Sequence, residues 1–261
     1  MRKVEIEKIN LSTKTSKKVA DYVAEEKPLH LFLNTTYRAT ILCSPLNLKE
    51  MAVGHLLSEG ILKSTAEIEE VNLKETEGSC YVKLKAKVNV DERLSLSRLH
   101  QRVVTSACGD QSTYQYKRKP AKVTSNLKVK AEVVFNSVNQ LNFKAEVFRQ
   151  TGGVHAAAIH TADGSLVALA EDVGRHNAVD KVIGMAALKQ TSFGECFLTS
   201  TGRLSGDIVF KASKVGLPIV ASLGAALDSG VAMAEAANLT LAGFVRGKRL
   251  NIYTFPERIL L

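Results

Sequence analysis

The spacing of apolar positions changes near residue 127, and each half predicts different elements. Up to about residue 90, apolar and polar residues alternate or gather in β-branched runs at Lys3–Ile9, Leu29–Leu33, Arg38–Cys43 and Cys80–Val88. This period of two is the signature of strands. One helix interrupts them. Pro45-Leu46-Asn47 opens it, Leu48, Met51, Ala52, His55 and Leu56 recur at helical spacing, and Gly60 stops it. Asp91–Arg102 has the pattern of a short helix. Residues 105–125 are polar and basic, carry Gly109 and Pro120, and predict a loop of about twenty residues, a length more often functional than idle.

From about residue 127 the pattern becomes α/β. Helical spacing covers Val129–Gln140 and Phe143–Gln150, closed by Gly152-Gly153. Two apolar runs, His155–Thr161 and Leu166–Glu171, flank Asp163-Gly164, a type I′ hairpin signal. Helices over Asn177–Lys189, Ser205–Val215 and Ser229–Ala237 alternate with strands at Cys196–Ser200 and Pro218–Ser222, and Leu241–Val245 and Leu250–Thr254 finish as strands. Strands alternating with helices imply a mostly parallel sheet, here with an antiparallel hairpin at its start. The fold class is α/β (α+β overall), with a β-rich N-terminal domain over 1–125 and an α/β domain over 126–261.

Composition narrows the class. The 261 residues are 45% hydrophobic with no Trp, enough apolar mass for a sizeable core and too much for a disordered chain. No run approaches the ~18–20 apolar residues of a membrane span, and the charged, alternating N-terminus is not a secretory signal. Cys43, Cys80, Cys108 and Cys196 lie far apart, without the spacing of a disulfide framework. A cytoplasmic protein with reduced thiols and no membrane contact is expected.

Charge changes the picture more. The net charge is +9, and residues 1–130 carry 23 Lys/Arg against 15 Asp/Glu, whereas 131–261 carry 12 against 11. Within 100–130, seven cations face Asp110 alone. Such a segment suits an anionic partner or serves as a solvated loop. Nucleic acid is not favoured, because Tyr114 and Tyr116 form no recognised module.

Candidate chemistry gathers at three strand-to-helix junctions: Glu171–Asn177, Thr199–Asp207 and Ser222–Gly230. In a parallel sheet all three fall at the carboxyl edge, where helix N-termini offer N–H groups to phosphate. Arg175 and Arg203 add fork donors. A fourth segment, Phe244-Val245-Arg246-Gly247-Lys248-Arg249, sets three cations and an aromatic in six residues, able to grip phosphate and stack on a base, or simply a basic turn. Cys108 sits beside Gly109 at the start of the basic loop, where nearby cations favour a thiolate. His176, at an ordinary imidazole pKa, is either a proton shuttle or a structural residue. Neither G-x-G-x-x-G nor a P-loop is present, the six His show no metal-ligand spacing, and no resident metal is expected.

Taken together, Thr151–Ala157, Glu171–Lys181, Ser200-Thr201-Gly202-Arg203 and Asn238–Phe244 closely resemble the signature of the formate dehydrogenase accessory sulfurtransferase family (FdhD/NarQ-like). Leu57–Ile61 and Ile252-Tyr253-Thr254 fit the same family in order. The resemblance implies a homodimeric sulfur carrier with a cytidine deaminase-like three-layer α/β/α domain containing a mixed sheet. It implies sulfur taken from a cysteine desulfurase as a persulfide on Cys108. The sulfur would pass to the molybdenum (or tungsten) bis-pterin guanine dinucleotide cofactor, in service of the formate dehydrogenase catalytic subunit, and the family's cofactor-binding segment matches Phe244–Arg249. On the reading of the residues themselves, Arg175, Arg203 and Arg246–Arg249 would neutralise its phosphates, with His176 beside them. Many members carry the loop as C-G-x-C-G; here either Cys108 takes the first Cys position and Gln111 the second, or Thr105 takes the first and Cys108 the second, so one thiol is missing either way. A cofactor-binding chaperone that moves no sulfur is the alternative.

Overall fold

The computed structural model describes residues 1–95, 102–104 and 119–261. Cys108 and the rest of 105–118 lie outside the described residues, as do 96–101.

The larger sheet has six strands in the order β10 (Leu166–Asp172), β9 (His155–Thr161), β11 (Cys196–Ser200), β12 (Ile219–Ser222), β13 (Thr240–Arg246) and β14 (Arg249–Thr254). Its centre, β11-β12-β13, is parallel, and the flanking pairs are antiparallel. The sheet is therefore mixed rather than mostly parallel, because a hairpin closes each side. Both faces are covered at the centre, so β9, β11, β12 and β13 are buried almost throughout, while the edge strands β10 and β14 alternate. Leu198, Val220 and Leu241 face α5 (Arg175–Leu188), α6 (Gly206–Val215) and α7 (Asp228–Ala237). Phe197, Ile219, Ala221 and Ala242 face α3 (Ala131–Lys144).

The N-terminal sheet has five strands in the order β5 (Ile68–Lys74), β6 (Ser79–Leu84), β3 (Lys27–Leu33), β4 (Thr36–Cys43) and β7 (Arg102–Val104). Leu29, Leu31, Ala39, Ile41, Cys80 and Val82 alternate inward and pack on α1 (Leu48–Ser58). That helix is buried from Met51 to Ser58, and it lies against α5 so closely that a Cβ on Gly54 would sit 1.7 Å from Asp180 O. A Cβ on Gly184 would sit 1.9 Å from Glu50 O. One continuous cluster of apolar side chains therefore runs from the five-stranded sheet through α1 and α5 into the six-stranded one.

Several expectations change. The helix expected over Asp91–Arg102 is α2, Asp91–Ser95, and Arg102–Val104 pairs as a strand with Ala39–Ile41. Val129–Lys130 is a short strand, β8, held parallel to β15 (Ile259–Leu260), so α3 starts later and runs further than the pattern indicates. After it, α4 is only Glu146–Thr151. At the β9–β10 turn only Gly164 takes positive φ, at 88°, so the turn is not type I′. Strands β1 (Arg2–Asn10) and β2 (Thr15–Val23) form a separate hairpin whose second strand escaped the sequence pattern.

Candidate functional site

The carboxyl ends of β10, β11, β12 and β13 lie on one edge of the large sheet, together with His155 at the start of β9. The loops leaving that edge touch in sequence. Gly202 lies against Arg175, whose Cβ would be 3.0 Å from a Cβ added there. Gly224 approaches Gly202 O so closely that a Cβ would stand 2.6 Å away, and Phe244 N donates to Gly224 O at 3.0 Å. The junctions of α5, α6 and α7 and the root of the β13–β14 hairpin thus form one line, and glycine is required where backbone meets backbone.

Polar groups crowd this line. Arg175 is the first residue of α5 and is 7% exposed, while Arg203 stands exposed on the next loop. His155 Nδ1 lies 3.4 Å from Thr201 Oγ1. Burial, with Arg175 and Arg203 nearby, holds the His155 imidazole below its usual pKa. His176 is pushed down to about 4 by burial, then by Arg175 and Lys211, against the opposing pull of Asp207 and Asp180. It is therefore neutral at pH 7, which removes the premise of an ordinary imidazole shuttling a proton there. Its Nε2 is sealed from solvent without a hydrogen-bond partner. So is Ser205 Oγ, which stands at the N-cap of α6 but caps no backbone N–H. Two orphaned polar atoms beside helix N-termini and arginines make an edge suited to an oxyanion.

Phe244–Arg249 forms the β13–β14 hairpin. Val245 is fully buried on the α3 face, whereas Arg246, Gly247, Lys248 and Arg249 are exposed. Gly247 and Lys248 have φ of 60° and 59° between the paired Arg246 and Arg249, the two positive φ values of a type I′ turn. The Arg246 guanidinium lies 5.3 Å from the Phe244 ring centroid.

Much of the Glu171–Lys181 block points the other way, into the core. Asp172 accepts from Ser44 N, Gly174 N and Asn177 Nδ2, each at 2.9 Å, and pairs with Lys181 Nζ at 2.6 Å with neither side chain exposed. Asp180 accepts from His55 Nδ1 at 2.8 Å, Ser58 Oγ at 2.6 Å and Lys211 Nζ at 2.9 Å. Lys211 also donates to Glu59 at 3.1 Å. Asp180 is held low and Lys211 high in pKa, in each case because the opposing charge outweighs burial. These groups fasten α1 to α5 and α6. Part of the signal was available: Ser58 and Glu59 stand three and four residues after His55, at the end of a stretch that is apolar from Met51 to Leu57 apart from His55.

Cys43, Cys80 and Cys196 are buried. Burial drives the first two thiols up to about 12 and raises the third. No cluster of three His, Cys, Asp or Glu suited to a metal occurs among the described residues. A surface cavity of about 570 Å³, lined by Asn34, Asn72, Tyr81 and Lys83 among others, lies on the N-terminal sheet, away from this edge. No helix among the described residues is long and apolar enough to cross a membrane.

Comparison with known proteins adds an independent line. Residues 24–260 match the model of the FdhD/NarQ family. The sulfur carrier protein FdhD of Shouchella clausii is 36% identical, with 94% of this chain and 92% of that protein covered. That of Sulfolobus acidocaldarius is also 36% identical, over 99% and 98%. The crystal structure of a protein described as a formate dehydrogenase accessory protein, from Desulfotalea psychrophila, superposes with a TM-score of 0.78 at 25% identity, covering 99% of both chains.

Proposed function

Because the chain belongs to the FdhD/NarQ family, we propose that it is a sulfurtransferase for formate dehydrogenase maturation that carries sulfur as a persulfide on Cys108. The observation that carries this reading is the fate of the other thiols. Cys43, Cys80 and Cys196 are buried with raised pKa, so none of them offers a thiolate at neutral pH. Cys108 stands in the most basic stretch of the sequence.

Its thiolate attacks the outer sulfur of a cysteine desulfurase persulfide. The donor S–S bond breaks, the donor leaves as a thiolate, and Cys108 holds the sulfane sulfur without net oxidation. For delivery, an external thiol attacks the Cys108 sulfur and forms a mixed disulfide, and the terminal sulfur leaves as sulfide for the molybdenum or tungsten cofactor. With Cys108 the single Cys of the loop, that thiol comes from outside it. The carboxyl edge receives the guanine dinucleotide part of this substrate. Phe244 and Arg246 grip the base, and Arg175, Arg203, His176 Nε2 and Ser205 Oγ meet the phosphates. The α/β domain is read as cytidine deaminase-like, in the cytoplasm of the cell.

The test is incubation with a cysteine desulfurase and ³⁵S-cysteine. Cys108→Ala is expected to lose the label and Cys43→Ala to keep it. Equal labelling of Cys108→Ala and the parent refutes the carrier mechanism. The single thiol of the loop favours the chaperone as second reading, and it predicts that Cys108→Ser still supports formate dehydrogenase activity in cells.

A further inference from the structure

The β1–β2 hairpin is an arm. It forms a two-stranded sheet, and no third strand pairs with it among the described residues. Of its strand residues only Val4, Ile6 and Val19 are even partly covered. Its base is held by the Met1 amino group, 3.0 Å from Glu25 Oε1, and by Ala24 against Gly153. An isolated two-stranded sheet is marginal in water, and a free edge is a template for another strand.

Directly opposed residues share a face in antiparallel pairs. Here one face carries Arg2 opposite Val23, Val4 opposite Asp21, Ile6 opposite Val19 and Lys8 opposite Lys17. Its centre is apolar and β-branched, and it includes an unfavourable like-charge pair, Lys8 and Lys17. Inside the arm, Lys17 has no acidic neighbour across the strand.

We propose that β2 pairs antiparallel with β2 of a second copy of this chain, about a twofold axis through Val19. In that register Lys17 of each copy faces Asp21 of the other, Lys18 faces Ala20, and Ser16 faces Tyr22, with no like charges opposed. Ile6, Val19 and their two counterparts line up as one row across a four-stranded sheet. The other edge does not serve: the same operation on β1 about Ile6 sets Glu5 against Glu7. A self-complementary strand pair is what an isologous twofold contact requires.

Equilibrium sedimentation of the full chain tests this. K17E and D21K are each expected to weaken dimerisation about tenfold, and K17E/D21K to restore it, since two cross-strand ion pairs are lost and regained. K17E relieves the Lys8–Lys17 repulsion, so the arm itself is not weakened by it. V19C should form an intermolecular disulfide across the axis under mild oxidation. A monomeric parent chain overturns the proposal, as does a dimer insensitive to K17E and D21K that V19C does not cross-link, or a double variant no better than the singles.

Discussion

At the scale of the residue, what decides most is closeness. Gly54 and Gly184 have no room for a methyl group, since the atoms facing them are backbone of the opposing helix. Gly184→Ala is expected to cost about 3 kcal/mol or more, because α1 and α5 must part; a urea midpoint equal to that of the parent would refute the tight crossing. The buried charges behave asymmetrically. Lys211→Met leaves Asp180 and Glu59 without their cation and should cost about 3–5 kcal/mol, whereas a Lys211→Met/Asp180→Leu pair costs less. Buried histidines set the acid limit. His160, stacked on Phe197 at 5.2 Å, is pushed down to about 4 by burial, as is His176. Their folded pKa lies below the unfolded 6.5, so the unfolded chain binds more protons between pH 6.5 and 4. Each therefore removes up to about 3 kcal/mol as pH falls through that window. His160→Gln should flatten the stability profile there, and denaturation at pH 7, 5.5 and 4.5 reads it directly.

At the scale of the element, strands and helices with clear periods were legible, and their limits were not. β2, with Val19 and Val23 set among lysines, and β5, Ile68–Lys74, have too few apolar positions to register, because exposed strands are held by ladders rather than by a core. The long pattern after Asp91 mixes a short helix and a strand that pairs with distant Ala39–Ile41, a contact no local window contains. That the glycine loops share one sheet edge was legible, because strand-to-helix junctions of parallel strands fall together and their Gly and Arg clusters are local features. The inward role of Asp172, Asp180 and Lys181 was not, because Ser44 and His55, which fix them against α1 and the segment before it, lie more than 100 residues away, even though Asp172 and Lys181 also pair with each other. The β13–β14 hairpin carries a prediction of its own. Phe244 is part of its irregular register, with φ of 51°, and holds Arg246 over its ring. Arg246→Ala should weaken GDP binding about 5- to 150-fold, the range for a lost stacking partner. Calorimetry showing parent affinity would detach the hairpin from the site.

At the scale of the molecule, the charge surplus is a sequence-level surplus in the first half, while the second half keeps a few cations at one edge. GDP binding at that edge should weaken as salt rises from 50 to 300 mM, since exposed Arg203, Lys248 and Arg249 are screened; salt-independent binding counts against phosphate recognition. The two sheets share one core and are tied through α1. That tie has a consequence for how the chain is made. Ser58 and Glu59 leave the ribosome long before their partner Lys211, which follows 153 and 152 residues later. At ordinary rates of synthesis the wait is on the order of ten seconds, during which α1 has neither its helix neighbour nor its countercharge. Until the second sheet is made, the face of α1 that packs on α5 and α6 has nothing to bury it.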